Sequence, residues 1–343
     1  MMRRLIALGA VPALLLTGCS DSGDGGGGGK SAKEPVTIAF GGDVHFEGQL
    51  AGRLSDPATA LGPIKEQLSK ADLAMVNLET AVTDRGTGAA KQFAFRAPSS
   101  AFAALKGAGV DVATMANNHG LDFGAEGLED SLNGAEDSGF PVVGIGRNAA
   151  EAFKPHVATV KGSKIAFFGA TQVLDDELAT AWTATDAQGG LASAKDPARL
   201  IAAVKAAAGE YDTVIVDLHW GVEKQSCPTE NQKTLAQQLV DAGADAVVGS
   251  HAHVLQAGGF LKTDKYVHYG LGNFVFYNFN GPTAQSGVLT LTVSGHAVKN
   301  ADWAPAVIQG AGLPQPLTGA QAQNAYVAWQ ALSACAGFPA KAQ

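Results

Sequence analysis

The chain has 343 residues, with 32 acidic and 24 basic side chains, a net charge of −8 with histidine neutral, and 7% aromatic residues. That length is long for one domain but within the range of large α/β enzymes, and an acidic chain without basic runs interleaved with aromatics argues against a nucleic-acid surface. Three scattered cysteines, Cys19, Cys227 and Cys335, exclude a thiolate metal cluster.

In chain order, Arg3 and Arg4 precede an apolar stretch from Leu5 to Leu16, which is too short to span a bilayer comfortably and reads as a secretory signal over residues 1–18. It ends in Leu16-Thr17-Gly18-Cys19, which resembles a bacterial lipoprotein signal with Cys19 as the lipidated new N-terminus. The other reading is an ordinary cleaved signal followed by an incidental cysteine. Cleavage before Cys19 removes Arg3 and Arg4 and takes the net charge from −8 to −10. Residues 19–33 include Gly25 through Gly29 and no core-forming side chains, so they form a flexible tether. In the oxidising compartment that such a signal implies, Cys227 and Cys335 are expected to pair; two free buried thiols are the alternative.

From Val36 onward, short β-rich runs alternate with Ala- and Leu-rich runs of helical period, the pattern of sheets flanked by helices. The expected strands are Val36–Phe40, Leu73–Val76, Val110–Met115, Pro141–Ile145, Lys164–Gly169, Thr213–Leu218, Ala246–Gly249, Tyr266–Tyr269 and Val288–Val293. Thr229 and Gln232 have capping-box spacing, and Gly243 sits where a C-terminal cap belongs, which predicts a helix over Thr229–Ala242. Leu128, Leu132 and Ala135 on one face predict another over Ala125–Asp137, and Asn324–Leu332 reads as a short terminal helix. The expected organisation is one domain over 34–300 and a C-terminal extension over 301–343 packed on it.

Five of the apolar runs end in groups able to bind a metal ion. They are Asp43-Val44-His45, Asn77-Leu78-Glu79, Asn117-Asn118-His119, Asp217-Leu218-His219 and His251-Ala252-His253. Residues two apart in extended chain point the same way, and open α/β sheets gather ligands beyond the carboxyl ends of their strands, so these groups can converge. Oxygen donors mixed with imidazoles suit divalent zinc, manganese or iron better than calcium. A pair of such ions polarises a phosphoryl group and generates hydroxide at neutral pH.

The order of these motifs is similar to that of calcineurin-like metallophosphoesterases. More closely, Gly42-Asp43-Val44, Val76-Asn77-Leu78-Glu79, Ala116-Asn117-Asn118-His119 with Asp122, His219-Trp220-Gly221 with Glu223, Gly249-Ser250-His251-Ala252-His253 and Leu271-Gly272-Asn273-Phe274 resemble the CapA family of bacterial capsule and poly-γ-glutamate synthesis proteins. The resemblance covers roughly Val36 to Phe276. It implies a four-layer αββα sandwich like that of metallo-dependent phosphatases, with Asp43, His45 and His253 on one divalent ion, Asn118, His219 and His251 on a second, and Glu79 bridging. It also implies that His119 protonates a leaving oxygen. Asn77, Trp220, Glu223 and Asn273 would support the ligands, with simple packing an equal reading for Trp220 and Glu223. Asp217 is expected to be a strand-end hydrogen-bonding group, and His156, His268 and His296 ordinary surface or satisfied histidines. Two departures stand out. Glu79 occupies a place where general phosphoesterases carry aspartate, and His45 one where relatives often carry methionine.

The expectation is therefore an exported lipoprotein on the outer face of the cell membrane, acting in capsule or poly-γ-glutamate-type polymer synthesis or export as a metal-dependent phosphoester hydrolase. Its partners would be an anionic envelope polymer or phosphoester substrate, the membrane through the lipid, and membrane polymer-synthesis proteins, with no nucleic acid. The rival readings are a non-catalytic binding or assembly component, suggested by Glu79, and a solute-binding lipoprotein, which would not need so many metal-capable groups at strand ends.

Overall fold

The computed structural model describes residues 33–338. The signal, Cys19 and the tether up to residue 32 lie outside the described residues, as do residues 339–343. Eight of the nine expected strands form, Val110–Met115 shortened to Val112–Thr114, whereas Pro141–Ile145 divides into Val142–Val143 and Ile145–Gly146, which belong to different sheets. Val36–Val44, Leu73–Leu78, Thr213–His219 and Ala246–Ser250 run one to four residues past their apolar runs, because the polar residues at their ends stay hydrogen-bonded to neighbouring strands.

Two large sheets pack face to face. One runs in the order Leu313–Pro316, Ala297–Gln309, Gln285–Ser294, Val36–Val44, Leu73–Leu78, Val112–Thr114, Val142–Val143, with Asn273–Val275 pairing the far end of Val36–Val44. The other runs Gly258–Lys262, Lys265–His268, Ala246–Ser250, Thr213–His219, Ser163–Thr171, His156–Val160. The period-2 alternation of each strand sorts its side chains between two cores. Ile38, Phe40, Met75 and Leu289 of the first sheet meet Ile165, Phe167, Ile215 and Val248 of the second in a shared middle layer. The opposite face of the first sheet (Ala39, Ala74, Val76) receives Phe102 and Leu105 of the helix Ser100–Gly107 and Leu128 and Leu132 of the helix Gly124–Ser138. On the outer face of the second sheet, Val214, Val216 and Val247 receive Leu200 and Val204 of Ala198–Ala208 and Leu235 and Leu239 of Glu230–Ala242. Helix, sheet, sheet, helix is the αββα sandwich.

Local signals explain the helix ends. The Thr229 side chain accepts from the Gln232 backbone N–H while the Gln232 side chain accepts from that of Thr229, a reciprocal cap whose loss costs about 1 kcal/mol. Gly243, in the left-handed region, terminates the same helix.

The C-terminal part departs from expectation. The boundary expected at 300 falls inside the 13-residue strand Ala297–Gln309, which pairs along the whole of Gln285–Ser294. Residues beyond 300 therefore complete the first sheet. The terminal helix spans Gly319–Ala331, starting five residues earlier than its apolar signal. Cys227 and Cys335 are bridged, with Cα atoms 5.6 Å apart, so the chain end is fastened to the loop after His219. A bridge joining residues 108 apart stabilises by about 3–5 kcal/mol in the chain-entropy model. Replacing both cysteines by serine should lower the unfolding free energy by about that amount, measured by guanidinium titration. Alkylatable thiols at both positions in the native wild-type protein would refute the bridge.

Candidate metal centre

The site lies where the carboxyl ends of the two sheets meet. Strand register places Asp43 directly beside Asn77 on one side and Asn273 on the other, and His219 beside Ser250. Gly42 makes this row possible: a Cβ there would fall 1.9 Å from the carbonyl oxygen of Gly272, so only glycine lets the two backbones approach.

Two donor groups result, and Glu79 belongs to both. Asp43, Glu79 and His253 offer ligand atoms within 4.8 Å of one another, and so do Glu79, His219 and His251. Asn118 joins the second group, with its Oδ1 2.7 Å from His219 Nε2. Both Glu79 oxygens and His251 Nδ1 are buried without a hydrogen-bond partner. Burial, reinforced by the Asp43 carboxylate, pushes Glu79 well above the usual carboxylate range. Burial also holds His251 down to about 3 and His219 well below its ordinary value, which keeps both imidazoles neutral with lone pairs to give. Burial pulls His253 down too, but the Glu79 and Asp43 carboxylates outweigh it and raise the ring to about 9. Orphaned carboxylate oxygens facing neutral imidazoles fit a divalent cation of the zinc or manganese type.

The supporting residues are equally specific. Asn77 Nδ2 donates to Asp43 Oδ1 at 2.8 Å, and its Oδ1 accepts from Asn117, which also donates to the Leu78 carbonyl. Asn273 Oδ1 lies 2.9 Å from His253 Nδ1. His251 and His253 have φ of 90° and 55°, left-handed values that are strained for histidine and hold both rings toward the site. His119 stands beside the metal groups with Nδ1 2.5 Å from Asp122 Oδ2 and its ring stacked on Phe95. It lines a pocket of about 490 Å³ together with His253, Glu223, Phe95, Phe276 and Tyr277.

Several expectations are corrected. His45 joins neither donor group: its ring is wedged among Phe95, Phe276 and Tyr277, and the backbone N–H groups of Glu47 and Tyr277 point at Nδ1 and Nε2, at 3.0 and 3.3 Å. A neutral imidazole has one in-plane lone pair, for which these two amides already compete. The strand Val36–Val44 stops one residue short of His45, so the strand alternation that would have aligned His45 with Asp43 no longer applies there. Trp220 is buried and donates to the Tyr269 carbonyl at 2.7 Å, so it anchors the second sheet's outer core and does not orient His219. Glu223 is exposed on the pocket wall, where its charge acts on His253. Asp217 Oδ1 is buried without a partner. His268 is likewise buried with both ring nitrogens unpartnered, stacked on Trp329. Sequence reasoning missed Phe95, Phe276 and Tyr277, although the aromatic pairs Phe93/Phe95 and Phe276/Tyr277 were a signal that could have drawn notice to both segments.

A four-layer αββα sandwich with Asp, Glu and His donor groups at its strand ends is the arrangement that the sequence resemblance implied. A family profile described as "Bacterial capsule synthesis protein PGA_cap" matches residues 37–278, and the chain belongs to that family. It is 34% identical over 233 residues to "Capsule biosynthesis protein CapA" of Bacillus anthracis, covering 64% of this chain and 53% of the relative. It is also 35% identical over 173 residues to "PGA biosynthesis protein CapA" of Bacillus subtilis, covering 50% and 44%. The chain thus spans about half the length of these relatives. A "probable polyglutamine synthesis accessory protein" of Mycobacterium tuberculosis is 29% identical over 246 residues, covering 68% and 64%. Among solved structures, a "novel phosphatase" of Mycoplasma pneumoniae aligns with a TM-score of 0.49 at 15% identity, over 80% of this chain and 94% of that one.

Saturation with manganese or zinc at about 100 times Kd should stabilise the wild-type protein by about 2.7 kcal/mol. Glu79→Ala, which opens both donor groups, should abolish most of that shift in thermal melts. His45→Phe should lose about 1–3 kcal/mol through its stranded amides yet keep its full metal content by elemental analysis; loss of metal there would restore His45 as a ligand.

Proposed function

We propose that this chain is a metal-dependent phosphoester hydrolase acting in the assembly or export of a bacterial envelope polymer of the capsule or poly-γ-glutamate type. The observation that carries the reading is Glu79, a buried carboxylate with neither oxygen hydrogen-bonded, shared by two neighbouring donor groups. Asp43, Glu79 and His253 would hold one divalent ion, and Glu79, Asn118, His219 and His251 a second. Ions so held supply Lewis acidity toward a phosphoryl group and a source of hydroxide near neutral pH.

The protein's own side chains supply the rest. His119 Nδ1 faces Asp122 Oδ2 and carries a proton toward it, which leaves Nε2 free to face the substrate; Nε2 can give a proton only from the doubly protonated ring, a form that burial disfavours and the contact with Asp122 supports. His119, at the pocket wall, protonates the departing oxygen. Phe95, Phe276 and Tyr277 form an apolar wall around that position, which limits water. Asn273 and Asn77 hold His253 and Asp43 in place. Membership of the capsule-synthesis family supports the polymer context, and the expected signal with Cys19 supports lipid anchoring at the outer face of the cell membrane beside polymer-synthesis proteins.

The test combines elemental analysis of the exported protein with a screen of phosphomonoesters and phosphodiesters in manganese and zinc. His119→Ala should retain metal and lose about 10²–10⁴ in turnover. Loss of metal in that variant would remove the acid assignment, and full metal content without turnover of any ester in the wild type would leave a binding component.

A further inference from the structure

Lys91 is a largely covered cation that contributes to neither donor group and does not line the pocket. Lys91 lies in the loop that crosses over the segment Asn118–Asp122; its side chain is 11% exposed, and its ammonium sits 5.3 Å from the centre of the buried Trp182 ring. Its Nζ donates to the backbone carbonyl of Asn118 and, at 2.9 Å, to Asp122 Oδ1. The other oxygen of Asp122 accepts from the Phe95 backbone N–H at 2.6 Å and faces His119 Nδ1. The Asp122 carbonyl accepts from the Ala89 backbone N–H at 2.7 Å, closing the loop onto the same residue. One ammonium thereby grips two points: the peptide that carries both Asn118 and His119, and the carboxylate that fixes the tautomer of His119. Phe95, on the same loop, supplies the face on which the His119 ring lies, with ring centroids 4.0 Å apart.

We infer that Lys91 is a positioning residue for general-acid chemistry at His119, acting through Asp122 and the Asn118 carbonyl. This inference rests on the hydrolase reading for its kinetic consequence but not for its geometric one. A fully buried carboxylate must be compensated, and the three groups that face it are the Lys91 ammonium, the His119 Nδ1 and the Phe95 backbone N–H, of which only Lys91 brings a fixed charge. With Lys91 present, Asp122 is held from both sides, so the imidazole is fixed in one tautomer and one plane. Without it, the carboxylate keeps only the ring and one backbone amide, and the His119 plane loses its anchor. Arginine at 91 retains the charge and can engage the carboxylate, whereas methionine keeps the stem and removes the cation.

The experiment uses the metal-loaded protein and three variants, Lys91→Met, Lys91→Gln and Lys91→Arg. Protein imidazole ¹H–¹⁵N spectra, with the His119 signal identified through its absence in His119→Gln, read the Nδ1–H hydrogen bond to Asp122 directly. The wild type should give a protected, downfield Nδ1–H resonance that is lost or moved upfield in Lys91→Met and kept in Lys91→Arg. On the kinetic side, a general acid matters most when the leaving oxygen is a poor leaving group. Lys91→Met should therefore lose about 10–100-fold in kcat on an alkyl phosphodiester, part of the range expected for an acid, with KM and metal content little changed. On a p-nitrophenyl ester the loss should stay within about threefold, because that leaving group needs little protonation. A loop-anchoring role alone would lower both substrates together and sink the proposal, as would an unchanged His119 resonance in Lys91→Met. Should Lys91→Met fold poorly by circular dichroism, Lys91→Gln removes the same charge while keeping a donor and is expected to give the same two signatures. If neither ester is turned over even by the wild type, the hydrolase reading fails and the His119 resonance alone decides the role of Lys91.

Discussion

A carboxylate buried where nothing in the protein hydrogen-bonds to it is the constraint around which this molecule is built. Isolated burial of a charged group is among the costliest things a fold can tolerate, and the usual escapes are protonation, a buried partner or a cation. Glu79 is in hydrogen-bond geometry with none of its neighbours; the nearest imidazole nitrogen, His219 Nε2, is 3.4 Å away. What surrounds it are the Asp43 carboxylate, the neutral imidazoles of His219 and His251, the Asn118 amide oxygen, and His253, whose proton the two carboxylates favour. Such a collection destabilises an apo protein and favours any ligand that brings positive charge. The αββα frame makes the collection possible, because parallel strands from two facing sheets deliver their carboxyl ends to one place, each held by its own hydrogen-bond ladder.

Much of this was legible in the sequence because the two kinds of signal coincide. Apolar runs locate the strands, and polar residues directly after them locate the site, so Asp43, Glu79, Asn118, His219, His251 and His253 stand together once the strands are paired. His45 escaped the same logic. Alternation holds only while the strand continues, and its end at Val44 cannot be read from residue types. The long hairpin of Gln285–Ser294 and Ala297–Gln309 was half visible: its first strand carries Val288, Leu289, Leu291 and Val293 among β-branched threonines, whereas the second mixes Lys299, Asn300 and Asp302 with Pro305, and the edge strand Leu313–Pro316 carries two prolines of its own. Lys91, Phe95 and Tyr277 belong to loops whose shape is set entirely by what they dock against, and no period announces such residues.

The fate of His45 also shows how a site residue can be displaced without being lost to the site. Its ring forms one end of a column, stacked on Phe95, which in turn stacks on His119. Its remaining edges meet Phe276 and Tyr277, which line the pocket. Burial, with the charges of His119 and His253, keeps it well below its ordinary pKa, so it packs as a flat, uncharged ring. The aromatic wall beside the leaving-group position is thus continuous with a residue two positions from the ligand Asp43, and the geometry of that wall follows from where the first strand stops.

Strain on the opposite side of the site explains why residues beyond 300 matter to it. His251 and His253 both adopt left-handed backbone, each at a cost on the order of 1–3 kcal/mol that surrounding contacts must offset. The His251 backbone N–H points at Asp43 Oδ2, and the Ala252 carbonyl accepts from Lys224, which fixes the turn from within. Gln256, just downstream, is a junction. It accepts from Gln232 Nε2 of the capped helix, donates to the Gln225 carbonyl in the loop that carries Glu223, and offers its own carbonyl to Trp329 Nε1 of the terminal helix. The Cys227–Cys335 bridge then joins that same loop to the chain end. Loop, histidine turn and terminal helix are therefore clamped to one another through one buried residue, Gln256, by its side chain and its backbone carbonyl, and one covalent link. A histidine turn held only by its own sheet strand would be free to relax toward ordinary backbone angles and carry both imidazoles away from Glu79; the clamp removes that freedom. The terminal segment, far from the ligands in sequence, is part of what keeps the strained pair of histidines aimed at the shared carboxylate.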